Sequence, residues 1–156
     1  MFKRKWITLI IIGITFFITG CSQTAKDDVI KEAVREKTSV DQLVIKKSDI
    51  TEVAKFYPVE VDGVTMEVIA VKASDGSIRT AFNACQVCAD SGRGYYIQVG
   101  RKFVCQNCGN EFDVDELEQA RYGCNPAPIT KSDKTEDSEY INIPKETFIA
   151  NKSLYL

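Results

Sequence analysis

Histidine is missing from the whole chain of 156 residues. That absence excludes a Ser-His-Asp triad, a Cys-His nucleophile, a histidine-ligated haem and any two-histidine metal site. A metal ion must therefore be held by thiolates, carboxylates or carbonyls. A basic excess is missing too: 20 Lys and Arg stand against 22 Asp and Glu, for a formal net charge of −2. Without a basic stripe to neutralise phosphates, nucleic acid is not expected as a partner. Nor does any apolar run reach the roughly 20 residues that a membrane-spanning helix needs.

The longest apolar run, Trp6 to Ile18, follows a basic start (Lys3, Arg4, Lys5) and leads into Ile18-Thr19-Gly20-Cys21. This is the layout of a secretory signal. Its last four residues resemble the lipobox of bacterial lipoproteins, in which the cysteine is acylated and becomes the new N-terminus. The expectation is a signal peptide over 1–20, lipidation at Cys21 and attachment to the cell membrane on its extracytoplasmic face. Two or three acyl chains, at ~0.8 kcal/mol per buried methylene, make such an anchor effectively permanent. Removing 1–20 also removes three basic residues, so the remainder is more acidic still.

Residues 21–43 read as a polar tether, with Val29, Ile30, Ala33 and Val34 at the spacing of a short helix over Asp27–Glu36. Residues 44–156 read as one domain. Its first part has short β-branched runs punctuated by Asp62-Gly63 and Asp75-Gly76, two hairpin signals in which the turn calls for positive φ. Three antiparallel strands are thus predicted up to Cys85. A second, shorter group follows: Tyr95–Val99, a turn at Gly100, and Lys102–Val104. The spacing of Val114, Leu117 and Ala120 predicts one short helix over 113–121, with Asp113, Asp115, Glu116 and Glu118 on a solvated face. A final strand is expected over Tyr140–Ile143.

Of six cysteines, Cys21 is the expected lipid site, which leaves an odd five: Cys85, Cys88, Cys105, Cys108 and Cys124. Full disulfide pairing is impossible for an odd number within one chain, and four of the five form two equal C-x-x-C pairs. Such a pair lets two sulfurs of a tight turn face one ion, and two pairs complete a tetrahedral shell. The metal site is therefore assigned to Cys85, Cys88, Cys105 and Cys108, with Cys124 as a candidate fifth ligand or a buried structural thiol. Gly109 directly after Cys108 supplies a positive φ that turns backbone N–H groups toward sulfur, whereas Ala89 stands at the matching place in the first knuckle. The same spacing also admits C-x-x-C disulfides in an oxidising compartment. A thioredoxin-like dithiol fits poorly, because neither pair opens a helix after a strand. Ser91-Gly92-Arg93-Gly94 superficially looks like a phosphate cradle but lacks the Lys-Ser/Thr that follows one, and reads as a flexible link. Tyr95, Tyr96, Phe103 and Phe112 read as core aromatics that shield the site.

Asp75–Cys88, Gly94-Tyr95, Phe103–Phe112 and Gly123-Cys124-Asn125-Pro126 together resemble the FtrD-like family of membrane iron-sulfur proteins. The resemblance implies an extracytoplasmic domain with an iron-sulfur centre, serving ferrous-iron uptake beside an iron permease and a copper oxidase. One departure stands out: many family members carry this domain behind several membrane helices, and here a lipid anchor takes their place. The order of motifs also resembles a Rieske domain, with Gly109-Asn110-Glu111-Phe112 and Asn125-Pro126-Ala127-Pro128 in the corresponding places. Cys88 and Cys108 then stand where a Rieske centre has histidines. Four thiolates carry more negative charge than two thiolates and two imidazoles, so the potential is expected nearer roughly −400 mV than the Rieske range of about −150 to +300 mV. Arg93, Arg101 and Lys102 are candidates to offset part of that charge.

Spacing alone accepts zinc, a single iron or a two-iron cluster, and the resemblance favours iron-sulfur. The expected protein is a mostly β, small antiparallel domain, Rieske-like or zinc-ribbon-like, with one short helix after the second knuckle. Its expected role is that of an electron carrier or iron-handling accessory rather than an enzyme. The rival reading is a non-catalytic interaction module held together by structural zinc.

Overall fold

The computed structural model describes residues 38–39, 41–119 and 123–156. The expected signal, Cys21 and the helix over 27–36 lie outside the described residues. No helix among the described residues is long and apolar enough to cross a membrane.

The elements run β1 (Thr38–Ser39), β2 (Gln42–Lys46), β3 (Lys55–Val61), β4 (Val64–Lys72), β5 (Ile78–Cys85), β6 (Tyr96–Val99), β7 (Lys102–Cys105), β8 (Glu111–Asp113), β9 (Pro126–Pro128), β10 (Thr135–Glu136), β11 (Tyr140–Pro144) and α1 (Lys145–Asn151). They form a five-stranded sheet in the order β1-β3-β4-β5-β9 and two three-stranded sheets, β10-β11-β2 and β6-β7-β8. The fold is mostly β and antiparallel, as the sequence predicts, and the one α-helix among the described residues is the C-terminal α1, which the sequence reading does not include. Strand pairing already begins at Thr38, within the stretch read as tether, through the parallel contact of β1 with β3.

The β3–β4 hairpin turns at Asp62 and Gly63, with φ of 48° and 80°. Two successive positive values fit the two-residue turn whose twist matches that of the strands. The β4–β5 connection is longer. There Gly76 alone has positive φ, at 81°, and Ala73 N–H donates to Ser77 O at 2.8 Å.

The large sheet is buried on both faces, which explains the near-continuous apolar run of β4. Its Val68, Ile69, Ala70 and Val71 are all fully buried. Alternation then divides the strand between two cores. Ile69 and Val71, with Phe56, Ala81 and Cys85, face the core that holds the knuckles, Tyr96, Phe103 and Leu117. Met66, Val68 and Ala70, with Phe82 and Ala84, face Ile45, Ile141, Ile143 and Phe148. The protein is therefore layered, with the β6-β7-β8 sheet on one side of the large sheet and the β2-β11-α1 layer on the other. Phe148 meets Phe82 edge-on at a centroid distance of 5.7 Å.

The helix expected over 113–121 is only a single 3-10 turn, Val114–Glu116. A capping box between Asp113 and Glu116 starts it. It stops at once because Leu117 is extended (ψ 142°) and Glu118 is left-handed (φ 67°). Nor is Glu118 on a solvated face, since its side chain is 11% exposed and pairs with the buried Lys134. Its Oε1 also accepts from Thr80 N–H at 2.6 Å and from Thr80 Oγ1 at 2.7 Å, while Lys134 Nζ donates to Thr80 Oγ1 at 2.9 Å. Burying two charges is sustained only when pairing and hydrogen bonds compensate both, and here Thr80 supplies the third member. Asp115 ties the layers together in another way: it accepts from Ser74 N–H at 2.8 Å and Ser74 Oγ at 2.6 Å and pairs with Arg101 at 2.7 Å. The Ser74 hydrogen bonds and the guanidinium hold its carboxyl down at about 2.

Candidate metal centre

Three passes of the chain deliver the cysteines to one place. Cys85 is the last residue of β5 and Cys105 the last of β7, so each knuckle turns off a strand end, as the sequence predicts. Cys124 arrives just before β9, whose Pro126 is in register with Cys85 on the edge of the large sheet. The second knuckle lies between two strands of the small sheet, where Tyr96 is in register with Cys105.

The two knuckles close differently. After Cys108, Gly109 is left-handed (φ 73°), and its N–H donates to Cys105 O at 2.9 Å. The N–H that reaches the Cys108 sulfur is that of the next residue, Asn110. After Cys88 the chain instead enters a 3-10 turn, Ala89–Ser91, and the left-handed position falls at Gly92 (φ 67°). Ala89 is thus no obstacle.

All five described cysteines are free thiols. The sulfurs of Cys85, Cys88, Cys105 and Cys124 lie within 4.8 Å of one another. Cys124 Sγ is 3.0 Å from Cys85 Sγ, 3.8 Å from Cys88 Sγ and 2.8 Å from Cys108 Sγ. Bonds of ~2.3 Å in a tetrahedral thiolate shell set sulfurs about 3.8 Å apart; Cys88 stands at that distance from Cys124, and Cys85 and Cys108 stand closer to it. The structure gathers Cys85, Cys88, Cys105, Cys108 and Cys124, and it draws Cys124 to the other thiols rather than leaving it as a distant core residue. Cys85, Cys88 and Cys105 are buried, Cys124 is half-buried and Cys108 is exposed.

Burial alone would raise the Cys85 thiol. Hydrogen bonds from Cys124, Tyr96 and the N–H groups of Val87 and Cys88 outweigh it and hold Cys85 below the usual thiol value. Cys108 is lowered to about 7, chiefly by the hydrogen bond from Cys124 and then by Asn110 N–H. Cys124 moves the opposite way, pushed up by burial and by donating to Cys108 and Cys85. A bound metal ion removes such a proton outright. The fully buried Tyr96 lies against the site, its Oη 3.9 Å from Cys124 Sγ, and burial drives its phenol far up. It stays a protonated hydrogen-bond donor to sulfur.

Two cations expected to offset the thiolate charge are committed elsewhere. Arg101 pairs with Asp115 at 2.7 Å and Asp113 at 3.5 Å, and Lys102 pairs with Glu111 at 2.7 Å. Backbone N–H groups, Tyr96 and the side chain of Asn107, which donates to Cys88, are the donors that face the sulfurs instead. Gly94 carries a role the sequence reading missed. Its carbonyl accepts from Cys85 N–H at 2.5 Å, and a Cβ there would lie 2.5 Å from Cys88 O. The repeated glycine in Gly92-Arg93-Gly94 was the available signal, read as flexibility when it marks close approach. Asn83 was likewise not singled out; its Oδ1 accepts from Tyr96 N–H at 2.7 Å and so fixes where Tyr96 enters the core.

A layered β domain whose strand ends bring thiols together, with no imidazole in the chain, is a thiolate-ligated metalloprotein. Residues 50–155 match the family described as membrane iron-sulfur containing protein FtrD-like, and the chain belongs to that family. No curated protein and no solved structure matches the chain. The donor set fits the family's cofactor: clustered, largely buried thiols with backbone N–H groups directed at sulfur are what an iron-sulfur cluster requires. The protein's cofactor is an iron-sulfur cluster held at a four-cysteine site.

Proposed function

We propose that this protein is a one-electron carrier of low potential, tethered by lipid at Cys21 to the extracytoplasmic face of the cell membrane, where it serves iron handling such as ferrous-iron uptake. The observation that carries the reading is the convergence of five cysteines, without any histidine, between two sheets. Tyr96, Phe103 and Leu117 keep water from the inner side of the site, while Cys108 and Val87 (67% exposed) reach the surface. Such a centre has a dry side that sets its potential and a surface corner through which an electron can pass to a partner. A permease or copper oxidase that handles ferrous iron is the partner this reading calls for.

The test is the spectrum and potential of full-length protein extracted anaerobically from membranes. Iron and acid-labile sulfide in equal amounts are expected, with visible sulfur-to-iron absorption that bleaches reversibly on dithionite and a midpoint nearer roughly −400 mV than the Rieske range. A cluster that dithionite cannot reduce, or colourless protein filled with zinc, would remove the electron-carrier role in favour of a structural module.

The anchor is tested separately. Cys21→Ala is expected to abolish incorporation of labelled fatty acid and to release the protein from the detergent-rich phase. Acyl labelling that persists in this variant would show that the lipid is attached at another residue.

A further inference from the structure

Two-iron and four-iron clusters take four protein sulfurs, yet five thiols crowd this centre. One of them stands outside the shell. Resting on the iron-sulfur reading above, we infer that Cys124 supplies the fourth thiolate beside Cys85, Cys88 and Cys105, and that Cys108 is a fifth, solvent-side thiol able to take the place of Cys124.

Three observations carry this. The sulfurs that lie within 4.8 Å of one another are those of Cys85, Cys88, Cys105 and Cys124; Cys108 is outside that set. Cys124 is in contact with Cys85 at 3.0 Å, Cys88 at 3.8 Å and Cys108 at 2.8 Å, and Cys108 in turn meets Cys88 and Cys105. Burial separates the two candidates as well, since Cys124 is half-buried against Tyr96 while Cys108 is exposed. A ligand in the interior keeps its bond from competing water, and a ligand at the surface does not.

The two knuckles therefore are not equivalent. The first places both of its cysteines in the shell, and the second places only Cys105 there. The sequence before β9 completes the set, so the shell closes only when the edge of the large sheet is in place. Because Cys108 Sγ already lies 2.8 Å from Cys124 Sγ, exchange needs only side-chain rotation at Cys108 and Cys124 and no displacement of a strand. In the exchange the Cys108 thiol loses its proton as its sulfur binds iron, and the departing Cys124 thiolate takes one up. No electron changes hands.

The experiment uses full-length protein purified anaerobically as wild type, Cys108→Ala, Cys124→Ala and the double variant. Alanine is chosen because it cannot ligate, as serine can. Metal and acid-labile sulfide per chain are measured, with electron paramagnetic resonance after dithionite. Cys108→Ala is expected to keep wild-type metal content and resonance positions. Cys124→Ala is expected to keep its metal with shifted resonances, because Cys108 has replaced the lost ligand. The double variant is expected to lose at least tenfold of its metal. The inference is overturned if Cys108→Ala empties the site or shifts its resonances, if Cys124→Ala empties it while Cys108 is present, or if the double variant remains filled. Zinc in the wild type would sink the electron-carrier role without touching the ligand set, because metal retention across the same variants reads the shell whichever ion fills it.

Discussion

Cys85→Ala and Cys105→Ala are each expected to yield protein without iron and without a cooperative unfolding transition. Both cysteines are buried at strand ends, Cys85 at 0% and Cys105 at 1% exposure, whereas the spare thiol, Cys108, stands on the exposed side. The reason for the size of the effect is the balance of energies. A four-thiolate site contributes on the order of 10–16 kcal/mol when it binds zinc, against a net stability of about 5–15 kcal/mol for a typical domain. The cysteines also belong to the core itself, packed with Ile69, Val71, Tyr96, Phe103 and Leu117. Emptying the site leaves three inward thiols without a partner in the middle of that core and releases the contact between the small sheet and the large one. Iron per chain and a denaturant titration followed by far-UV circular dichroism check this. A sharp transition retained by metal-free Cys85→Ala would show that the two apolar cores stabilise the fold without the metal.

Gly94→Ala should have the next largest effect, although it changes neither a ligand nor a charge. The added methyl would lie 2.5 Å from Cys88 O, 2.6 Å from Cys88 C and 2.9 Å from Ala89 N. These are backbone atoms, so no side-chain rotation relieves the overlap. Nor is the backbone free to retreat: Cys88 N–H donates to Cys85 O at 3.2 Å and Ser91 N–H to Cys88 O at 3.1 Å, with Ser91 Oγ a second donor to Cys88 O at 2.6 Å. Overpacking costs about 1–3 kcal/mol when side chains can adjust, and this case belongs at or above the upper end of that range. The first knuckle must tilt, taking Cys88 out of the shell, so a marked fall in iron per chain is expected along with the loss of stability. Gly92→Ala is the control. It has left-handed φ (67°) but open space around it, so it should lose only the roughly 1–2 kcal/mol of an unfavourable backbone and keep its iron. Equal iron in the two variants would show that the first knuckle absorbs the added methyl without losing a ligand.

The role of Gly94 illustrates how far local pattern carries in this protein. Hairpins were legible because their signals are local: Asp62-Gly63 and Asp75-Gly76 sit between β-branched runs, and both mark chain reversals. The knuckles were legible because two residues between cysteines fix a turn wherever it occurs. The helix over 113–121 was misread because its apolar spacing is real but serves another end. Val114 and Leu117 are buried in the metal-side core, while Glu118 leaves the helical region to reach Thr80 and Lys134. Periodicity reports which residues face inward; it does not report that a carboxylate has a buried partner sixteen residues later in the chain.

The sequence by itself determined the chemistry: no imidazole, five thiols for one domain, two tight turns that each present a pair, and strands short enough to bring those turns to their ends. These are matters of residue identity and of contacts within a few positions. Tertiary structure alone decided which thiols meet. Cys124 is separated from Cys85 by 39 positions, and nothing in the local pattern ranks it above Cys108, which completes a C-x-x-C pair. The ranking comes from strand registry, since β9 pairs with the end of β5 and so carries Cys124 to Cys85, while the second knuckle leaves Cys108 at the surface. Long-range pairing is set by the burial of whole sheet faces, here the two-sided core of β4, and that free energy belongs to no short stretch of sequence.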